Sequence, residues 1–145
     1  MTPLFGVLVR FRERAHAVSA DIEKMFNQVL VRPSDRDALR FLCRPVGSDQ
    51  PPLTFQMQVQ TFSVVSSPTI CNFTLQRAAT ECSNEFSDAS KRIVDNFYVD
   101  DYLDSFDDDT EAISVSSEVA DILRRGGFKL NQVALFIETN TCSET

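Results

Sequence analysis

The chain has 145 residues, of which 43% are hydrophobic, twelve of them Phe, and a formal net charge of −7; that is enough for one domain with its own core. No stretch reaches the roughly 18 uninterrupted apolar residues of a membrane span, and PLFGVLV lacks a basic leader and a cleavage site, so an intracellular chain without a membrane partner is expected. The acidic balance excludes a surface that grips nucleic acid throughout, because backbone phosphates are held chiefly by Lys and Arg.

The charge is uneven. Arg10, Arg12 and Arg14 make the N-terminal segment basic, whereas 95–111 is strongly acidic. Cys43, Cys71, Cys82 and Cys142 contain no C-x-x-C pair, and His16, the single histidine, has no partner at ligand spacing. Reduced thiols are expected and a zinc site is not.

In chain order, Leu4, Val7, Leu8 and Phe11 recur at helical spacing and predict a short amphipathic helix ending before Ala15. AHAVSADI predicts a strand that delivers Asp21 at its end, followed by a turn through EKMFNQV. RPSDRDALRFLC combines Pro33, Ser34 as N-cap and Asp37 three residues on, which predicts a helical turn leading into a strand over 39–43. CRPVGSDQPP is loop. LTFQMQVQTF alternates cleanly, with Leu53, Phe55, Met57 and Val59 on one face, and is the clearest strand in the chain.

SSPTICNFTLQRAATECSNEF has Ser67 placed to cap, Pro68 at the first helical position, and Cys71, Leu75, Ala78, Cys82 and Phe86 on one face of a buried helix. RIVDNFYV reads as a strand, DD as a tight turn and YLDSF as the returning strand, since Asp tolerates the left-handed geometry of hairpin turns. DTEAISVSSEVADILRRGGF predicts a helix capped by Thr110 and stopped by Gly126 and Gly127. VALFIETNTCSET runs apolar and then polar and is expected to fray.

The stretch NFYVDDYLDSFDDD puts six aspartates in ten positions directly after an apolar run. A solvated hairpin is the plain reading of such a run. Adjacent carboxylates at a turn repel each other and raise one pKa unless a cation neutralises them, so a bound ion gives Asp100 and Asp101 a reason to sit together. An EF-hand counted from Asp100 fails, because Tyr102 and Ser105 occupy a ligand position and the turn-glycine position. A magnesium site needs a further carboxylate from elsewhere, and Asp21, at another strand end with Phe26 five residues on, is the candidate. Asp21 with Asp100 and Asp101 would suit two divalent ions serving phosphoryl transfer.

ADIEKMFNQV, DRDALRFL, FSVVSSPTICNF, NFYVDDYLDS and LRRGGFKL, in that order, resemble the motifs of a reverse transcriptase palm, closest to the BEL/Pao group of long-terminal-repeat retrotransposon polyproteins. The resemblance runs from about Arg10 to Leu130. It implies an α+β palm, a small antiparallel sheet with helices packed on one face and a carboxylate site on the other. It further implies RNA-directed DNA polymerase activity with two magnesium or manganese ions, and as partners a primer–template of RNA or DNA and deoxynucleoside triphosphates. Asp21, Asp100 and Asp101 match the metal-binding carboxylates, and the carbonyl of Ile22 is a further ligand. Phe26 matches the ring that underlies the incoming sugar. Phe62 and Ser63 fall in the loop lining the nucleotide pocket, where the family usually has glycine in place of Ser63. Tyr98 and Val99 match positions near the primer end, and Lys129 is a candidate proton donor to the leaving pyrophosphate.

The resulting organisation is a partial palm over 1–132 and a divergent, frayed tail over 133–145, in a cytoplasmic retroelement particle. Two rivals stand beside it: a non-catalytic retroelement remnant acting as an interaction module, and a divalent-ion binding module without polymerase ancestry.

Overall fold

The protein is described here by a computed structural model covering residues 3–62 and 64–137. Helix α1 (Leu4–Phe11) opens it as the apolar spacing predicts, but only Val7 is fully buried, while Leu4 and Leu8 stay exposed. Polar contacts fasten its end instead: Arg10 Nε donates to Asn96 Oδ1 at 2.6 Å, and Ser105 Oγ donates to the Arg10 carbonyl.

Strand β1 (His16–Ile22) buries alternate residues Val18, Ala20 and Ile22, which leaves Asp21 on the other face near its end. A 3-10 turn, Met25–Gln28, follows, entered through Lys24 at φ 48°. A second, Pro33–Leu39, begins with Pro33 after Arg32, so Ser34 lies inside the turn and bonds Asp35 rather than capping it.

Strands β2 (Arg40–Cys43) and β3 (Leu53–Gln56) form a separate antiparallel pair. The ten-residue strand expected at LTFQMQVQTF is therefore cut to four residues, all exposed, and beyond it only Val59 makes a bridge, to Leu30. Alternation specifies a strand strongly only where a layer covers its apolar face. Here the hairpin's apolar side has Phe41 and Phe55 stacked on each other at 5.7 Å.

Helix α2 (Ser67–Glu81) buries Cys71, Leu75 and Ala78 as the spacing predicts. Ser66 holds the N-cap position, and Ser67, expected there, is buried and donates to Gln60 Oε1 at 3.1 Å. Phe86 lies beyond this helix, at the N-cap of α3 (Ser87–Asn96).

Helix α3 corrects the strand expected at RIVDNFYV, of which only Phe97–Tyr98, strand β4, is extended. Ala89, Ile93 and Asn96 fall at i, i+4 and i+7 and are buried. Burial of that face outweighs the β preference of Ile93 and Val94. A two-residue turn, Val99 and Asp100, leads into β5 (Asp101–Phe106), one position earlier than the expected Asp100–Asp101 turn, and the residue at positive φ is Val99, at 58°, not an aspartate.

Helix α4 (Asp109–Arg125) is capped by Asp108, whose Oδ1 accepts from the Glu111 amide at 2.8 Å, not by Thr110. Two residues earlier, Asp108 has the extended backbone that lets a side chain turn back to the first-turn amides. Gly126 ends the helix and Gly127, at φ 83°, turns the chain out of it.

The fraying expected from Val133 is corrected as far as the described residues reach, because β6 (Leu130–Ile137) pairs antiparallel with β1. That ladder satisfies backbone groups on an edge of β1 that would otherwise be left open. Residues 138–145, including Cys142, lie outside the described residues.

The main sheet has the order β4-β5-β1-β6 with every neighbouring pair antiparallel. Helices α2, α3 and α4 bury the face carrying Val18, Ala20, Ile22, Tyr102 and Phe106. Burying each of those large side chains contributes roughly 1.5–3 kcal/mol. The architecture is α+β with helices on one face. Helix α1 packs against β5 and β4, with the Arg10 carbonyl accepting from Ser105 Oγ. No helix among the described residues is long and apolar enough to cross a membrane.

Candidate active site

The register of the sheet assembles the site. Asp21 on β1 lies directly opposite Asp101 on β5, and on its other side opposite Asn131 on β6. Directly opposed residues bring their Cβ atoms within about 4.5–5.5 Å, so the two carboxylates share one patch of the open face. Asp100 sits in the adjoining turn, and its carbonyl accepts from the Ile22 amide at 2.9 Å, which ties the turn to the end of β1. Between Ser19 and Asp21 the β1–β6 pairing shifts register, and such an irregularity re-aims the side chains beside it.

The electrostatics match the geometry. Partial burial, then the charges of Asp100 and Asp21, push the Asp101 carboxyl above its ordinary value. Among the described residues no Lys or Arg forms an ion pair with Asp21, Asp100 or Asp101. Nor is any group of three or more His, Cys, Asp or Glu side chains among the described residues placed so that it could hold a metal ion. The donor chemistry still fits magnesium, which binds through one or two carboxylates and completes its shell with water and substrate phosphates. Burial pushes the Cys71 thiol up to about 11.

Behind the carboxylates the hairpin is anchored by a polar network. Tyr102 Oη donates to Asp104 Oδ2 at 2.7 Å, and Arg92 Nη1 donates to the same oxygen at 2.9 Å. Arg92 also reaches Asp88 at 2.8 Å and Glu111 at 3.3 Å, with its guanidinium 4.4 Å from the centre of the Phe106 ring.

The remaining expected residues divide. The Ile22 side chain is buried in the core, so only its backbone is available to a ligand. Phe26 is buried in the turn after β1, and the ring of Phe62, which is exposed, meets it edge-on with centroids 4.6 Å apart. Both line a depression of about 300 Å³ with Thr61, Val65 and Pro68. Ser63 lies outside the described residues. Tyr98 pairs with Asp101 across the hairpin and is half-buried. Lys129 stands just before β6, with its Nζ 2.6 Å from Glu23 Oε2. Asn131, Glu23 and Gln28 were missed by the sequence reading, because only strand register and a long-range contact bring them to this end of the sheet.

The fold and this carboxylate arrangement define an α+β domain of the polymerase palm type. The family described as reverse transcriptase (RNA-dependent DNA polymerase) matches residues 6–133, and the chain belongs to it. Among solved structures, it resembles that of the foamy viral protease-reverse transcriptase in complex with RNA/DNA hybrid, with a TM-score of 0.67 at 14% identity. That likeness covers 92% of this chain and 16% of the viral one, so the chain spans about a sixth of its length. No curated protein matches the chain.

Proposed function

We propose that the chain is the palm of an RNA-directed DNA polymerase from a BEL/Pao-type retrotransposon. It extends a primer on an RNA or DNA template with deoxynucleoside triphosphates, inside the cell and within the particle of its element. The observation that carries this reading is Asp21 directly opposite Asp101, with Asp100 in the adjoining turn. Two magnesium or manganese ions, when bound, would supply Lewis-acid activation of the primer hydroxyl and neutralise charge on the leaving group. Asp21, Asp100 and Asp101, with the Ile22 carbonyl, are the groups that would hold them.

In the reaction the primer's 3′-hydroxyl oxygen attacks the α-phosphorus, the bond to the bridging oxygen breaks, and pyrophosphate leaves. Phe26 underlies the sugar and disfavours a 2′-hydroxyl, with Phe62 and Ser63 completing that wall. Tyr98 lies toward the primer end. Lys129, paired with Glu23, gives its proton to the departing pyrophosphate.

Primer extension on an oligo-primed RNA template with magnesium or manganese tests this directly. The wild-type chain is expected to extend and the Asp100→Asn variant to lose at least about a hundredfold in rate. Equal extension by the variant, or none from a demonstrably folded wild type, overturns the reading.

A second reading, a non-catalytic interaction module, is favoured by one observation. An apolar cleft of about 330 Å³ lies between α4 and β6, lined by Val18, Ala112, Ile113, Val133 and Leu135. It adjoins the edge strand of the sheet, and exposed apolar surface of this kind marks interaction sites. On that reading the aspartates are dispensable.

A further inference from the structure

Gln28 joins two segments that are far apart in the chain. Its Nε2 donates to the Glu23 carbonyl, and its Oε1 accepts from the Lys129 amide at 2.9 Å. The frame is closed by two more contacts. The Glu23 amide donates to the Lys129 carbonyl at 2.9 Å, and the side chains of Glu23 and Lys129 form an ion pair at 2.6 Å. Phe26 lies within the loop so fastened, between Lys24 at φ 48° and Gln28, and the turn is pinned at its other end by the pairing of Asp21 and Ile22.

A short turn entered through a left-handed Lys24 has little of its own to hold it, since such a backbone is unfavourable for residues other than glycine. Two side chains tie it to the start of β6, Glu23 through its ion pair with Lys129 and Gln28 through an amide with both ends used. That amide therefore helps fix where the Phe26 turn stands against the start of β6.

We propose that Gln28 is a positioning residue for sugar discrimination, holding the Phe26 turn against the start of β6 so that the ring closes the space a 2′-hydroxyl would need. This rests on the polymerase reading. A steric wall that shifts by a few tenths of an ångström loses selectivity before it loses binding, because its effect is repulsive and short-ranged.

The test compares incorporation of dATP and ATP, as the ratio of kcat/KM, in wild type, Gln28→Met and Gln28→Asn. Methionine keeps the length without polar ends; asparagine keeps the amide one methylene short and serves if the methionine variant does not fold. Equilibrium binding of the same two nucleotides with magnesium is measured alongside. The deoxynucleotide preference is expected to fall about tenfold, mainly through better use of ATP, whereas a merely structural role would depress both nucleotides equally. An unchanged ratio beside an inactive Asp100→Asn control overturns the positioning role and leaves the polymerase. If a folded wild type extends nothing, the polymerase reading falls, and a variant that keeps the wild-type binding ratio overturns the positioning role as well. A wild type with neither extension nor deoxynucleotide preference overturns both.

Discussion

Asp100 and Asp101 are neighbours in sequence, and Asp101 faces Asp21 across the ladder, so three like charges converge on one end of the sheet. The folded state raises the Asp101 pKa, so stability is lost as pH rises from the unfolded carboxylate value through the higher folded one. Replacing Asp100 by Asn removes one of the repelling charges. The variant is expected to gain about half a kcal/mol at neutral pH, after solvent screening, and its Asp101 titration to move down. Urea midpoints and carboxyl-detected NMR read the two quantities; a lower midpoint with an unmoved titration would contradict the charge argument. Stability and proposed activity thus move in opposite directions at one residue. Val99 adds strain beside them, since a β-branched side chain at φ 58° costs of order 1–3 kcal/mol. The sequence made the aspartates legible as a cluster and the turn as a turn. It did not reveal which residue would be left-handed, because that is set by the register joining Tyr98 to Asp101.

Between elements, α4 ends close against α2 at Gly126. A Cβ there would stand 2.6 Å from the Cβ of Ala78, and both belong to packed segments. Gly126→Ala is expected to lose about 1–3 kcal/mol by forcing the helices apart, readable as a lower denaturant midpoint with unchanged slope. A change under about half a kcal/mol would show that the helices yield freely. Gly126 and Gly127 were legible as a stop signal, but the packing reason was not, since Ala78 lies 48 positions earlier. The same limit explains α3. RIVDNFYV has a strand's composition, yet Ser87–Asn96 is helical because Ala89, Ile93 and Asn96 meet the core together. LTFQMQVQTF failed in the opposite sense, being well patterned with no layer to cover it.

Across the molecule, Arg92 binds three elements, pairing with Asp88 on α3, Asp104 on β5 and Glu111 on α4. Its side chain is 15% exposed and that of Asp104 4%, so the Arg92–Asp104 bond is largely shielded from water. Arg92→Leu would leave Asp104 buried with Tyr102 as its main partner, at a cost of about 3–5 kcal/mol. The thermal midpoint is expected to fall sharply, and a near-neutral result would mean that water reaches Asp104. Because Tyr102 and Asp104 follow directly on Asp101, the same variant is expected to loosen the hairpin that carries the carboxylates. By itself the sequence determined the α+β class, many of the local elements and the clustering of the aspartates, since these follow from periodicity, turn chemistry and motifs carried within a few dozen residues. Only the tertiary structure decided that β6 completes the sheet, that Asp21 faces Asp101 and Asn131, and that Gln28 reaches Lys129. Strand register and long-range hydrogen bonds depend on which surfaces exclude water together, and no local window of the chain contains that information.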